Sequence, residues 1–324
     1  MSTGEARGQA KVALLRVSVL GVLVTLLLVP TAGSATRDKQ QLRKITIAMI
    51  AVDPTAQAMY AKHRAIFRKY GIDAEIKIVA PAQTGPALTS GDAQFGPIPV
   101  GTLAQVKSKG APLKAVAGGA LYRPSTATSI VVAAPGSGIR SARDLAGKRI
   151  AFDSPFSIAH VGLLRWLDRN GVDGDDIDVA TVGFPQAYAL LMEKRVDAAL
   201  LPEPLATRAL DGGGRRIALP FDAVCTRDCL LLVWAARRDV DPDLAARFRV
   251  AVQKAALWAN DADNYAASGA ILARYETIEP ELIAKMARTK YATKLRVAKA
   301  QPWLDVFREY GLISGPFTAA DLVK

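Results

Sequence analysis

The sequence predicts an α/β protein of two similar lobes joined by two crossover segments, with a ligand cleft between them. Three observations predict it. Strand-like and helix-like segments alternate along most of the chain, one helix-to-strand unit occurs twice about a hundred residues apart, and an apolar leader precedes both copies. The repeated unit occupies residues 87–99 and 190–202. In each copy an apolar helical end meets a tight break, a polar residue, a short apolar strand and a proline. Leu88, Gln94 and Pro99 keep the same spacing as Leu191, Asp197 and Pro202.

The elements follow in order. Residues 45–50 form a β-rich run, and 56–70 read as a helix stopped by Gly71. A strand at 74–79, a helix at 84–90 stopped by Gly91, a strand at 94–98, a helix at 101–108 and a strand at 113–118 complete the first lobe. The continuous apolar strand at 127–134 is the crossover into the second lobe. There follow a helix at 141–146, a strand at 149–152 and a long helix at 158–170 stopped by Gly171. A strand at 178–182, a helix at 185–193, a strand at 197–201 and a helix at 205–210 come next, and 216–219 leads the chain back. After a strand at 230–236, Asp241 and Pro242 are an N-cap and N1 pair opening an Ala-rich helix to about Tyr275. Further helices at 280–288 and 302–310 make the remainder all helical. This order predicts a leader at 1–35, a discontinuous first lobe at 36–127 plus 222–324, and a second lobe at 128–221.

The leader has a basic start at Arg7, Lys11 and Arg16, an apolar run from 17 to 29, and small residues at Gly33, Ser34 and Ala35. That is the pattern of a secretory signal cleaved near Ala35, its apolar run being shorter than the ~20 residues of a membrane span. No cysteine follows the run, so the chain is not expected to be a lipoprotein. The formal net charge is +12, but the basic residues stand singly or in pairs. The charge is therefore read as a solvated surface with a mild bias toward anionic ligands and not as a nucleic-acid face. Cys225 and Cys229 are the only cysteines, in a chain marked for export, and a disulfide is expected of them. No metal site is expected, because His63 and His160 are the only histidines and neither is near them in sequence.

With the two copies of the repeat, the Glu203-Pro204 that follows the second, and the leader, the chain resembles the periplasmic substrate-binding proteins of ABC importers, in particular the sulfonate, taurine, nitrate and thiamine-precursor binders. The likeness runs from about Ile45 to Trp303. It departs at Lys194, where the family usually has glycine, so a strained or different turn is expected there. The resemblance implies the type II periplasmic binding fold and hinge closure on a small, anionic, sulfonate-like or pyrimidine-like ligand. It also implies delivery to a permease of the inner membrane, with no catalysis and no cofactor, by a protein taken here as a periplasmic monomer. A ligand-sensing module and a pyrimidine-synthase-like enzyme on the same scaffold are the competing readings.

In open α/β sheets the ligand sits beyond the carboxyl ends of the strands, so the loops there supply the candidate contacts. In the first lobe these are Asp53, read first as the N-cap of the helix that follows, Thr84, which could equally cap its helix, Pro99, Gly101 and Thr102. Gly101 would permit close backbone approach. Tyr122 and Arg123 lie by the crossover, Arg123 being either an anion partner or half of a structural ion pair. In the second lobe they are Ser154, Phe156 and Ser157 at the start of the long helix, whose N-terminus is the best anion site in the chain. Phe184 could wall the pocket, and Glu203 could bond a ligand amine or hold the hinge.

Overall fold

The computed structural model describes residues 42–276 and 278–324. The leader and its cleavage site lie outside the described residues. The strands are β1 (Arg43–Met49), β2 (Ile72–Ile78), β3 (Gly96–Pro99), β4 (Leu113–Gly118), β5 (Ala120–Tyr122), β6 (Ser129–Ala133), β7 (Arg149–Phe152), β8 (Asp178–Thr181), β9 (Ala198–Pro202), β10 (Arg215–Ala218), β11 (Cys229–Leu230), β12 (Leu232–Arg237) and β13 (Lys290–Tyr291). The helices are α1 (Gln57–His63), α2 (Ile66–Lys69), α3 (Thr84–Ser90), α4 (Val100–Ser108), α5 (Ile158–Arg169), α6 (Phe184–Met192), α7 (Leu205–Asp211), α8 (Pro242–Ala259), α9 (Tyr265–Glu276), α10 (Pro280–Lys285) and α11 (Gln301–Glu309).

The strands divide between two lobes, and β6 and β12 explain the mixed pairing. Each runs against the β-α-β strands of the lobe it enters. In one lobe β7 pairs parallel with β8 and β9, while β6 lies antiparallel to β9 in the order β10-β6-β9-β7-β8. In the other, β1 and β2 pair in parallel and β12 runs antiparallel between β3 and β4. A bridge between Ile47 and Phe95 ties β1 to the start of β3. The five-stranded sheet is therefore mixed, and β3-β12-β4 is antiparallel throughout. The two crossings are pinned together by Asp222, whose Oδ1 accepts from the Tyr122 hydroxyl at 2.8 Å and the Ser125 amide at 3.0 Å.

Both copies of the repeat fold as expected, α3 into β3 and α6 into β9. Gly91 has φ +89° and Lys194, at the equivalent step, φ +57°. The turn is thus the same left-handed one in both, and in the second copy a lysine bears the strain that glycine avoids. Pro99 and Pro202 end their strands as the spacing implied.

Four expected elements differ. The helix at 56–70 is interrupted at Ala65 (φ +53°), and beyond the break Phe67 stacks on Phe248 at 5.6 Å. The short helix at 141–146 is a single 3₁₀ turn, Arg143–Leu145. The Ala-rich helix ends at Ala259 because Asn260 turns away to bond both backbone groups of Tyr291, at 2.8 Å each, and Asp261 caps a new turn. Those bonds also hold β13 against β5, a strand in a region expected to be all helical. Cys225 and Cys229 form the disulfide, with Cα atoms 5.9 Å apart.

Candidate functional site

The carboxyl ends of β1, β2 and β3 meet those of β7, β8 and β9 around one cleft. One wall carries Val52, Pro54, Thr55, Pro81, Thr84, Pro97 and Pro99, and the other Ser129, Asp153, Ile158, Ala159, Phe184, Leu200 and Pro202. Phe221, Leu231 and Leu232 close the side where the chain crosses back. The prolines give the walls a fixed shape, since their φ is locked. Thr55 is tied down by donating to the Ile50 and Val52 carbonyls at 2.7 and 2.9 Å. Thr84, Ser129 and Asp153 supply the remaining polar side chains. No lysine, arginine or histidine is among the described residues of the lining.

Of the candidate residues, Thr84, Pro99 and Phe184 line this cleft. Gly101 does not. Its α-carbon faces the Phe307 ring of α11, and a Cβ there would sit 2.3–2.6 Å from three ring carbons. The close approach is real, but the body approaching is the protein's own core. Gly101→Ala should therefore overpack this contact and lower stability by about 1–3 kcal/mol without changing ligand affinity. Urea melts and titration of the variant would show both. Thr102 follows on the first turn of α4, outside the lining.

Tyr122 is fully buried, bonded to Asp222 and packed edge-on to Phe221 at 5.4 Å. Arg123 is solvent-exposed beside Asp228 at 3.7 Å, a surface ion pair. Both are crossover residues and neither lines the cleft. Asp53 caps no helix: the turn Asp53–Thr55 is capped at Val52. Fully buried, its carboxylate meets the Arg288 guanidinium at 3.3 Å and the Thr289 amide at 2.6 Å. Burial works against the Arg288 charge, but Asp53 and the hydroxyls of Tyr60 and Tyr291 more than offset it, so the guanidinium lies above its ordinary range. Glu203 is buried too, its carboxylate accepting from the Thr207 amide and hydroxyl at 3.0 and 2.8 Å. Burial, with the Asp53 charge adding, pushes the Glu203 carboxyl up to about 7. Its carbonyl accepts from the Asp53 amide at 3.2 Å, which fastens the two walls behind the cleft.

At the start of α5 part of the helix end is taken by its own side chains. Ser157 Oγ accepts from the His160 amide at 3.2 Å and donates to Asp153 Oδ1 at 2.6 Å. The Phe156 amide donates to His160 Nδ1 at 3.0 Å, holding Phe156 at φ +56° with its ring exposed. Ser154 takes the Ser157 amide on its carbonyl. Ser154, Phe156 and Ser157 thus build the loop, and the side chain it presents to the cleft is Asp153. Burial raises the Asp153 carboxyl above the ordinary range, with the Ser157 bond opposing. The sequence reading passed over Asp153; the signal available was a charged residue directly after the apolar strand end Ile150-Ala151-Phe152.

Residues 55–264 match the family model described as NMT1/THI5 like. The chain belongs to the NMT1/THI5-like family. Over 68 residues it is 37% identical to a Brachyspira hyodysenteriae protein whose name places it among ABC transporter periplasmic binding proteins, a match covering 21% of this chain and 19% of that relative. The fold is shared with the alkanesulfonate-binding protein SsuA of Xanthomonas axonopodis pv. citri bound to MOPS. That chain is 22% identical, with 88% of this chain and 99% of that one covered and a TM-score of 0.71. It is shared also with the ligand-binding component of an ABC-type import system from Staphylococcus aureus with zinc bound, which is 17% identical, with 87% and 96% covered and a TM-score of 0.74. The protein therefore has the two-lobed periplasmic binding fold.

Proposed function

We propose that the protein is an extracytoplasmic solute-binding protein. It holds one small ligand between its lobes and presents the closed form to a membrane permease, without turning the ligand over. The observation that carries the reading is the cleft itself: strand ends of both lobes converge on a single space with fixed apolar walls and few polar groups, the form of a binding site. Membership of the NMT1/THI5-like family and the binding-protein fold support it. Export through the leader at residues 1–35 and lobe limits at 127/128 and 221/222 belong to the same proposal. The division of the strands and the Asp222 link between the crossings support those limits.

A thermal-shift screen of the purified protein against a library of small anions, neutral rings and amines tests this. A ligand present at a hundred times its dissociation constant adds about 2.7 kcal/mol, a rise of about 4 °C for a chain of this size. The ligand should be recovered unchanged after incubation. A library that moves nothing, or a hit that is consumed, overturns the proposal.

A further inference from the structure

The charge of the cleft runs against the relatives named for sulfonate. Asp153 is the one ionisable side chain among the described residues of the lining, which include no cation. At the start of α5 the chain's own side chains take two of the amides, Ser157 Oγ holding that of His160 and His160 Nδ1 that of Phe156. At α7 the Thr207 amide is held by Glu203. A sulfonate entering here would shed its water against apolar walls and meet a carboxylate with no side-chain cation among the described residues of the lining to balance it.

Resting on the solute-binding reading above, we infer that the ligand is a compact organic cation: an ammonium group on an apolar body, the ammonium donating to the Asp153 carboxylate. Ser157 Oγ fixes the rotamer of that carboxylate through Oδ1, so the acceptor is set before the ligand arrives. An N⁺–H to carboxylate bond is of the strong, charge-assisted kind, and here it forms away from bulk water. Phe184 and Phe221 place aromatic rings in the same lining, surfaces that attract a cation and do not attract an anion. Pro54, Pro97, Pro99 and Pro202 offer flat apolar walls to the rest of the molecule. Burial, which lifts the Asp153 carboxyl, also leaves it the most to gain from a positive partner.

Three probes sharing one ring and differing in charge test the inference by calorimetry on the native protein at pH 7.5: benzylammonium, benzyl alcohol and benzenesulfonate. Benzylammonium should bind at least tenfold more tightly than the alcohol, and benzenesulfonate more weakly than either. Asp153→Asn, checked for an unchanged melting temperature, should cost benzylammonium at least tenfold while moving the alcohol less than threefold. The charge series on the native protein decides the matter even if that variant folds poorly. A series indifferent to charge, or one in which the sulfonate binds as well as the ammonium, overturns the cation inference and leaves the solute-binding reading standing. Silence from all three probes also overturns it, and the solute-binding reading falls with it only if the wider library is silent as well.

Discussion

Asp53→Ala is expected to destabilise the protein by about 3–5 kcal/mol, the cost of breaking a buried ion pair from one side. Asp53 is fully buried and Arg288 nearly so, with 9% of its side chain exposed, so the guanidinium left behind could not recover its hydration. The loss would not stop at the charge. The Thr289 amide and the Tyr291 hydroxyl both donate to the Asp53 carboxylate, and an alanine would leave the amide buried without an acceptor. Arg288 keeps the Tyr60 hydroxyl at 2.9 Å, the Ser268 hydroxyl at 3.0 Å and the Tyr265 carbonyl at 3.2 Å, but these neutral partners do not balance a charge. Urea unfolding would measure the effect. The double variant Asp53→Ala with Arg288→Met should be less damaged than Asp53→Ala alone, because it removes the stranded charge. A double variant as unstable as the sum of the two singles would show that the pair acts only through packing.

That cluster also shows what the sequence could not reveal. Asp53 stands in a strand-end loop before a proline, a position that suggests a cap or a ligand contact. Its real partners, Arg288, Thr289 and Tyr291, lie more than two hundred residues away in a segment with no motif. Gly101 is the same case in miniature: the need for a close approach was legible, but its source, Phe307, was not. The repeat was legible because a period needs no third dimension, and with it came Pro99, while Thr84 and Phe184 followed from the rule that places ligands beyond strand ends. The polarity of the cleft was not legible. The loop from Asp153 to Ser157 holds a helix-capping serine and a carboxylate in five residues, and only the structure shows that the serine is bonded to that carboxylate and that Asp153 lines the cleft.

Two titrating groups, the buried Glu203 and the half-buried His160, are expected to hold the stability level between about pH 4.5 and 6.5 by opposing each other. Glu203 is raised by burial from 4.5 to about 7, so its contribution is fully present below the unfolded value and is lost as pH rises through 7. His160 is lowered by burial from 6.5 to about 4. Its contribution is present above the unfolded value and is lost as pH falls toward 4. Its ring stacks on Phe152 at 4.3 Å, and Nδ1 accepts from the Phe156 amide, a role that requires an unprotonated nitrogen. At 1.36 kcal/mol per pKa unit each group is worth about 3 kcal/mol. Glu203→Gln keeps an acceptor for Thr207 but removes one arm, so the variant should lose about 3 kcal/mol relative to the native protein as pH falls from 7 to 4.5. At pH 8, where the native protein carries a buried ionised Glu203, the variant should be at least as stable. His160→Gln should show the mirror image, gaining on the native protein as pH falls. Asp153, raised in the same sense as Glu203, is common to all three proteins and cancels in the differences. Urea midpoints at pH 4.5, 6 and 8 give the three curves. Parallel curves would mean that neither group changes its protonation on folding, and that the network behind the cleft is not what senses acid.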